Sequence, residues 1–212
     1  MIDEHVFLLS PARCDGPRAK MLLNSEASFD LAQRLRSDGG APIGEVFAFL
    51  SSLYFRGKLA YAQALTSSPK QDAMIKVITT NRGLRSATDA VTHADLVSFS
   101  GIDLASGDER YLGPLRRDAE RVAKTWPASA GVVLLGSIAT GKYVDTLLSI
   151  FGERLLFPAD FVGRGDMSRG GLLLRNARAG TALRYLPVAG AVRRGKRPPK
   201  LERLPRGISE NA

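Results

Sequence analysis

Four short apolar runs, separated by longer segments with helical periodicity, constrain the fold of this chain more than any other feature. The runs cover residues 5–9, 74–79, 131–135 and 154–157 and are rich in Val, Ile and Leu. Short continuous apolar runs are typical of strands buried on both faces. Because strands that alternate with helices form parallel sheets, the sequence predicts an α/β fold. We expect a three-layer α/β/α sandwich around a central, mainly parallel four-stranded sheet.

The segments between these runs carry helix signals. Ser28 and Thr92 stand where a side chain caps the start of a helix. The clearest pattern places Leu112, Leu115 and Ala119 on one helical face. We expect helices over residues 17–36 (broken near 25–28), 43–53, 57–65, 92–99, 108–126 and 139–151. Residues 172–188 are predicted to form a helix or a strand, and the pattern does not decide between them.

The length of 212 residues and an apolar content of 44% suit one domain with a sizeable core. From Arg193 onward the chain is basic and rich in Pro, with little that a core can bury. We therefore expect one domain over residues 1–190, followed by a basic, flexible tail over residues 191–212.

The scarcity of Cys and His excludes several classes of site. With one Cys and two His, neither a disulfide framework nor a zinc or iron–sulfur centre is expected. Cys14 is predicted to be a packed side chain rather than a nucleophile, since no His is adjacent to activate it. The N-terminus does not resemble a signal peptide, and no apolar stretch approaches the ~18 residues that span a bilayer. We expect a cytoplasmic protein with no membrane contact, no metal and no cofactor.

The net charge of +9 is concentrated in the last third of the chain. Residues 153–212 hold 13 Lys and Arg against 5 Asp and Glu. A basic field of this kind attracts polyanions. Nucleic acid is the favoured partner, and a solvated tail that aids solubility is the alternative. The sequence gives no sign of an obligate protein partner.

Two loops that follow predicted strands combine Pro, Gly, Asp and Arg. The first loop, residues 10–17, carries Arg13 and Asp15, and the second, residues 157–171, is rich in Gly and charged residues. Ligands of open α/β sheets bind beyond the carboxyl ends of the strands. We expect the loops to form two walls of one site. The alternative for the first loop is a surface turn in which Arg13 and Asp15 pair only with each other.

Two further segments are candidates for binding. Residues 54–58, which include Tyr54 and Lys58, mix aromatic rings with cations. They suit stacking on a base and gripping a phosphate, or equally a core contact beside solvated cations. Residues 136–142 resemble a phosphate-binding loop, but Tyr143 stands where that motif needs Ser or Thr for magnesium. This difference argues against a nucleoside triphosphatase and leaves Gly136 and Ser137 as candidates for binding one phosphate.

Four motifs in order resemble the uracil-DNA glycosylase superfamily, whose first motif is a strand followed by Gly-Gln-Asp-Pro-Tyr-His-Gly-Pro. Here residues 6–9 are followed by Ser-Pro-Ala-Arg-Cys-Asp-Gly-Pro. The family's middle strand ends in a base-reading Asn, which Asn81 resembles, and its Leu-Leu-x-Gly-Ser-x-Ala motif is similar to residues 134–139. Its last strand, loop and Arg-Gly resemble residues 154–170. The resemblance spans about residues 6–174 and implies a uracil-DNA-glycosylase-like fold.

The chain departs from this family at three points. The last loop lacks the family's His, so Asp160, Arg164 and Asp166 are candidates to replace that electrophile. The aromatic residue that stacks on the base is missing after the first motif, where Ser25 stands and Phe29 is the nearest ring. The acidic residue of the first loop is shifted to Asp15. These changes favour a modified, bulkier base over uracil.

The resemblance implies a monofunctional DNA glycosylase that flips a modified base out of single- or double-stranded DNA and leaves an abasic site. A carboxylate near the sugar would stabilise its developing positive charge and orient water. Asp15 is the first catalytic candidate, Asp166 the second, and Asp160 the third. The candidates for binding the base are Asn81, Arg13, Tyr54 and Phe29. The candidates for binding DNA phosphates are Ser10, Lys58, Gly136, Ser137, Arg164, Ser168 and Arg169.

The substrate and the pathway stay open at the level of sequence. Glycosylases of the same superfamily that act against phages suggest a hypermodified cytosine and a role in antiviral defence, while base-excision DNA repair is the other pathway. A related branch handles deazaguanine bases in tRNA, so RNA is an alternative substrate. A non-catalytic nucleic-acid-binding protein is a further alternative, favoured by the missing His. Lyase chemistry is not expected, because neither loop contains Lys.

Overall fold

A computed structural model describes residues 5–51, 53–66, 71–102, 107–139 and 141–201, except for the side chains of residues 71 and 142. The strands are β1 (Val6–Leu9), β2 (Ala41–Pro42), β3 (Ile75–Ile78), β4 (Leu84–Ser86), β5 (Ala90–Val91), β6 (Val132–Leu135), β7 (Leu155–Pro158) and β8 (Tyr185–Pro187). The helices are α1 (Pro17–Leu23), α2 (Asp30–Arg36), α3 (Ile43–Ser51), α4 (Leu53–Leu65), α5 (Gln71–Met74), α6 (His93–Ser100), α7 (Glu109–Thr125), α8 (Gly141–Phe151) and α9 (Asp166–Ala179).

Six strands form the central sheet, in the order β4-β3-β1-β6-β7-β8. The four inner strands, β3, β1, β6 and β7, are the four predicted runs, and neighbours among them pair in parallel. The edge strands β4 and β8 pair antiparallel to β3 and β7. The mainly parallel α/β sheet is therefore confirmed, but the predicted number of four strands was too small. Both added strands are only three residues long, and β4 has a single apolar residue, so neither gives a strand pattern.

Helices cover both faces of this sheet. Along β1, Phe7 and Leu9 belong to one apolar cluster and Val6 and Leu8 to another, as the two-residue period of a strand requires. The first cluster contains residues of α1, α2, α3, α4, α6 and α9. The second contains residues of α7 and α8. β1 is fully buried between the two helical layers, which accounts for its continuous apolar run.

Helices α4 and α9 cross at a pair of glycines. A Cβ added to Gly57 would lie 2.7 Å from the carbonyl oxygen of Gly170, and one added to Gly170 would lie 2.7 Å from that of Leu53. Real Cβ atoms do not approach a carbonyl oxygen so closely, so the crossing requires residues without side chains at both positions. This contact fixes the start of α9 against α4.

The helix predictions hold in most places and fail in three. Thr92 caps α6 and forms a capping box with Asp95, as predicted. Ser28, in contrast, is not a cap, because α2 begins at Asp30 with Phe29 at the N-cap position. α4 is continuous from Leu53 and does not start at residue 57. The predicted loop 157–171 ends in helix α9, whose adjacent glycines Gly170 and Gly171 weaken the helix signal in the sequence.

The described part of the predicted basic tail contacts the domain. The Arg193 guanidinium lies 3.0 Å from the Asp145 carboxylate of α8, and Arg164 donates to the carbonyl oxygen of Pro199 at 3.3 Å. Residues 202–212 of the predicted tail lie outside the described residues. Within the described part of the chain, no helix has the length and apolar character that crossing a membrane requires.

Candidate active site

A cavity of about 950 Å³ opens at the carboxyl ends of β1, β3 and β6. Residues 10–15, directly after β1, form one wall, and Asp166 and Arg169 in the first turn of α9 contribute to another. Thr80 after β3, Ser137 after β6 and Phe99 at the end of α6 also line it. The two predicted loop segments thus meet at one cavity, as expected from parallel strands that end at the same edge of a sheet.

Seven of the predicted site residues line this cavity. They are Ser10, Arg13, Asp15, Tyr54, Ser137, Asp166 and Arg169. Both leading catalytic candidates, Asp15 and Asp166, therefore line the same cavity.

Asp15 pairs with Arg13 on the cavity rim. The Arg13 Nε atom donates to the Asp15 carboxylate at 2.6 Å, and both side chains are more than half exposed. This hydrogen bond holds the pKa of Asp15 below its ordinary value. The self-pairing considered as an alternative does form, but it forms at the cavity and not on a remote surface turn. An ionised Asp15 suits the stabilisation of positive charge and does not suit proton donation.

Asp166 and Arg169 form the corresponding pair on the opposite wall. They lie one helical turn apart, with 3.5 Å between Arg169 Nη1 and the carboxylate. Asp166 is largely exposed, whereas Arg169 is buried, stacks on the Phe161 ring and donates twice to the Phe161 carbonyl oxygen. Because Nε and Nη2 donate to Phe161, Nη1 is the guanidinium nitrogen that faces the Asp166 carboxylate.

Lys58 lies behind the cavity wall and not at the surface. It is 1% exposed, and its Nζ atom donates to the carbonyl and hydroxyl oxygens of Ser10 at 2.6 and 2.8 Å. Burial lowers the pKa of Lys58 to about 7. This burial does not support the predicted role in binding a DNA phosphate, because the amine does not reach the surface of the protein.

Asn81, Phe29 and Asp160 also lie away from the cavity lining. The Asn81 amide donates to the Ser98 hydroxyl at 3.1 Å, while its neighbour Thr80 takes the place on the wall. The Phe29 ring stacks on Phe49, with 5.4 Å between centroids. Asp160 is exposed in a short 3-10 turn before α9. The expectation that these residues touch the base or the reacting sugar is therefore not supported by their positions.

Arg164 and Ser168 line a second, smaller depression of about 320 Å³. Met167, Arg197 and Lys200 share it. Successive residues of a helix point in different directions, so the first turn of α9 divides the predicted segment between two depressions.

In the segment that resembles a phosphate-binding loop, Gly136 and the adjoining Tyr143 have packing roles. A Cβ on Gly136 would lie 2.7 Å from the Tyr143 hydroxyl and 2.8 Å from the Ser10 Cβ, so this glycine lets the two side chains meet. The Tyr143 hydroxyl donates to the carbonyl oxygen of Ser137 at 3.1 Å. Tyr143 thus lines the cavity where a nucleotide-binding loop carries a magnesium ligand, and Gly136 itself does not line it.

Sequence reasoning missed several residues of the cavity wall, among them Thr80, Phe99 and Tyr143. Thr80 donates to the carbonyl oxygen of Phe99 at 3.1 Å, which joins the end of β3 to α6. The position of Thr80 directly before Asn81 was a usable signal, since it follows a strand. Phe99 gives no such signal, because its approach to the cavity depends on how α6 packs.

Cys14 is buried in the cavity wall, and burial raises the pKa of its thiol to about 12. This placement agrees with the predicted packing role and does not favour a thiolate nucleophile. Among the described residues, no group of three or more His, Cys, Asp or Glu side chains is arranged to hold a metal ion.

Comparison of the chain with protein-family models, with characterised proteins and with solved structures found no match.

Proposed function

We propose that this protein is a DNA glycosylase that hydrolyses the N-glycosidic bond of a flipped-out, modified base. The observation that carries the proposal is the meeting of the Asp15 loop and the first turn of α9 at one cavity of about 950 Å³. Ligand sites for small molecules have volumes of roughly 300–1,000 Å³, so there is room for a nucleoside with an enlarged base. A hypermodified cytosine of phage DNA is the candidate substrate.

The positions of the four family-like motifs support this proposal. Each motif includes or directly follows the carboxyl end of one of the four adjacent parallel strands β3, β1, β6 and β7. Residues from all four motif segments, among them Thr80 and Ser137, line the cavity. Parallel strands bring the segments that follow them to one edge of the sheet, and the resemblance requires its four motifs to meet there. The uracil-DNA-glycosylase-like fold is therefore part of the proposal.

The chemistry of the walls suits cleavage of an N-glycosidic bond. As the bond breaks, the sugar gains positive charge and the base negative charge. The carboxylates of Asp15 and Asp166 would stabilise the sugar, and the Arg169 guanidinium would stabilise the departing base. Tyr54 is in the lining and is 7% exposed, so the edge of its ring is the aromatic surface available to that base. No step needs a metal ion or an organic cofactor.

The test is a base-release assay on a panel of DNAs with different modified cytosines, with mass spectrometry for the free base and alkali for the abasic site. We expect release from at least one modified DNA. Asp15→Asn and Asp166→Asn should each slow it by about 10²-fold or more, as expected for lost charge stabilisation. Asp38→Asn is the matched control, since Asp38 is exposed and lies outside the cavity lining. Full activity of both cavity variants would contradict the catalytic assignment.

A non-catalytic nucleic-acid-binding protein is the second candidate, and the two ion pairs favour it. Both cavity carboxylates already pair with an arginine of their own segment, Arg13 and Arg169. Binding without release from any DNA would establish this candidate over the enzyme. Parallel assays with tRNA distinguish the RNA branch, for which release from tRNA but not from DNA is the expected result.

A further inference from the structure

Lys58 has an environment that a merely structural lysine rarely has. Its amine is buried against the rings of Tyr54 and Phe55, at 4.5 and 4.9 Å from their centroids. Buried lysines are almost always paired with a carboxylate. Among the described residues, no Asp or Glu forms a salt bridge with Lys58, and its close polar contacts are the two oxygens of Ser10.

Those two contacts can be made by a neutral amine as well as by an ammonium. The carbonyl oxygen of Ser10, 2.6 Å from Nζ, can only accept a hydrogen bond. The hydroxyl oxygen, 2.8 Å from Nζ, can accept or donate one. In the structure Nζ donates to both oxygens. When the amine is neutral, it can keep one N–H on the carbonyl oxygen and accept the Ser10 hydroxyl hydrogen on its lone pair, which leaves lone pairs of the Ser10 oxygen for another donor.

The Ser10 hydroxyl connects this buried amine to the cavity. Ser10 is the first residue after β1 and lines the cavity, whereas Lys58 does not. The position of Ser10 is held from the other side by Tyr143, whose hydroxyl meets Ser10 beside Gly136. A water molecule in the cavity thus has access to Ser10 but not to Lys58.

We propose that Ser10 and Lys58 form a proton relay that activates the water attacking the sugar in this cavity. The inference rests on the proposed glycosylase function and adds two residues to its chemistry. As the water oxygen bonds to the anomeric carbon, its proton passes to the Ser10 oxygen and the Ser10 proton passes to the Lys58 amine. The electron pair of the broken C–N bond leaves with the base. Lys58 ends as an ammonium and later returns its proton to the base or to solvent.

The charged and titratable groups around Lys58 allow it to be neutral near pH 7. Burial is the main cause that lowers the pKa of Lys58 to about 7, Arg169 of α9 lowers it further, and Asp166 opposes both. Tyr54 on α4 and Tyr143 on α8 are neutral at this pH, since burial raises the pKa of each. A base whose pKa lies near the working pH is the most effective kind.

The same geometry argues against direct attack by Lys58. Schiff-base chemistry needs the amine to touch the sugar, but Ser10 and Tyr54 stand between Nζ and the cavity. The relay also differs from carboxylate catalysis by Asp15, which would stabilise charge while Ser10 and Lys58 remove the proton.

The test is the pH profile of single-turnover base release from the substrate identified in the base-release assay. For the unmodified protein, the rate should rise with pH through an apparent pKa near 7 and then level. Lys58→Met and Ser10→Ala should each lose this rise and slow release by about 10²–10⁴-fold, the usual contribution of general base catalysis. DNA affinity should stay within about twofold. Lys76→Met is the matched control, a half-buried lysine whose pKa is also lowered by burial and which lies outside the cavity lining.

A second measurement keeps the inference testable if a variant folds poorly. NMR titration of ¹³C-labelled lysine in the unmodified protein should show one amine that titrates near pH 7 and disappears in Lys58→Met. An amine that titrates only near pH 10 would overturn the relay. Base release with an unchanged pH profile in Lys58→Met would overturn the relay and leave the glycosylase standing. No base release by the unmodified protein from any substrate would overturn both.

Discussion

At the scale of a single residue, Lys58 makes the free energy of unfolding of this protein depend on pH. Its pKa is about 7 in the folded protein and 10.5 in a solvated lysine. Between these values the unfolded chain binds more protons than the folded one, so the free energy of unfolding should rise with pH across this window. Below pH 7 both states are protonated, and this contribution no longer changes.

We therefore predict that the stability difference between Lys58→Met and the unmodified protein depends on pH. The variant should be favoured at pH 7 by a few kcal/mol more than at pH 10, because methionine carries no charge to desolvate. Urea unfolding at both pH values measures the difference, and subtraction removes the contributions of Cys14 and the tyrosines. An identical pH dependence in the two proteins would contradict the burial of a titrating amine.

At this scale the sequence predicted residue types better than residue positions. Asp15 and Asp166 were predictable because each belongs to a segment that follows a parallel strand. Lys58 and Asn81 were misjudged for a common reason. No local pattern shows that Lys58 on its helix faces the core rather than a cleft. Nor does one show that the Asn81 amide turns toward a neighbouring helix. Both depend on how the elements pack.

At the scale of elements, the crossing of α4 and α9 determines the shape of the site. α4 carries Lys58 and Tyr54, and α9 carries Asp166 and Arg169. The contact of Gly57 with Gly170 brings the two helix backbones together. A wider crossing would move the carboxylate wall away from Ser10 and Tyr54.

We predict that Gly170→Ala lowers the free energy of unfolding by about 1–3 kcal/mol, the usual cost of overpacking a tight contact. Its new Cβ would meet the backbone of Leu53, which cannot move aside. Gly171→Ala is a control in the same helix, since the nearest atom is a Leu201 methyl group at 3.6 Å. This control should be neutral or stabilising by up to about 1 kcal/mol. Equal destabilisation by both substitutions would show that the close contact of α4 and α9 does not require a glycine at position 170.

The elements that could be predicted are those with a strong local period. The four inner strands and the amphipathic helix α7 have such a period, and they were found within a few residues. β4 and β8 are edge strands of three residues each, too short to show an apolar face by alternation. They form because β3 and β7 offer free edges for pairing. The start of α9, residues 166–171, falls in the predicted loop because Gly170, which the crossing with α4 requires, and the adjacent Gly171 weaken the helix signal.

At the scale of the whole molecule, the basic charge lies beside the cavity. Arg164, Arg197 and Lys200 surround the smaller depression next to the first turn of α9. The described tail residues are held there by the bond from Arg164 to Pro199. A nucleic-acid strand that inserts a base into the cavity would therefore pass its neighbouring phosphates over this group.

We predict that the affinity for DNA falls steeply with salt, and that the combined variant Arg197→Gln with Lys200→Gln binds more weakly. Each lost phosphate contact should reduce the slope of log K against log salt by about 0.9. The combined variant Arg121→Gln with Lys124→Gln is the control, because both residues lie on α7, which packs on the opposite face of the sheet. Fluorescence anisotropy at several salt concentrations measures both slopes. Equal losses of DNA affinity in the two combined variants would show that DNA does not bind at the smaller depression.

The central position of β1 has a consequence for biosynthesis. β1 is made before both of its partners, and its far edge stays open until β6, more than a hundred residues later, leaves the ribosome. During that interval a wholly apolar strand with unpaired amides has no permanent neighbour on one side. An unpaired apolar edge is a template for pairing with other chains, so the strand order itself exposes the emerging polypeptide to aggregation during translation.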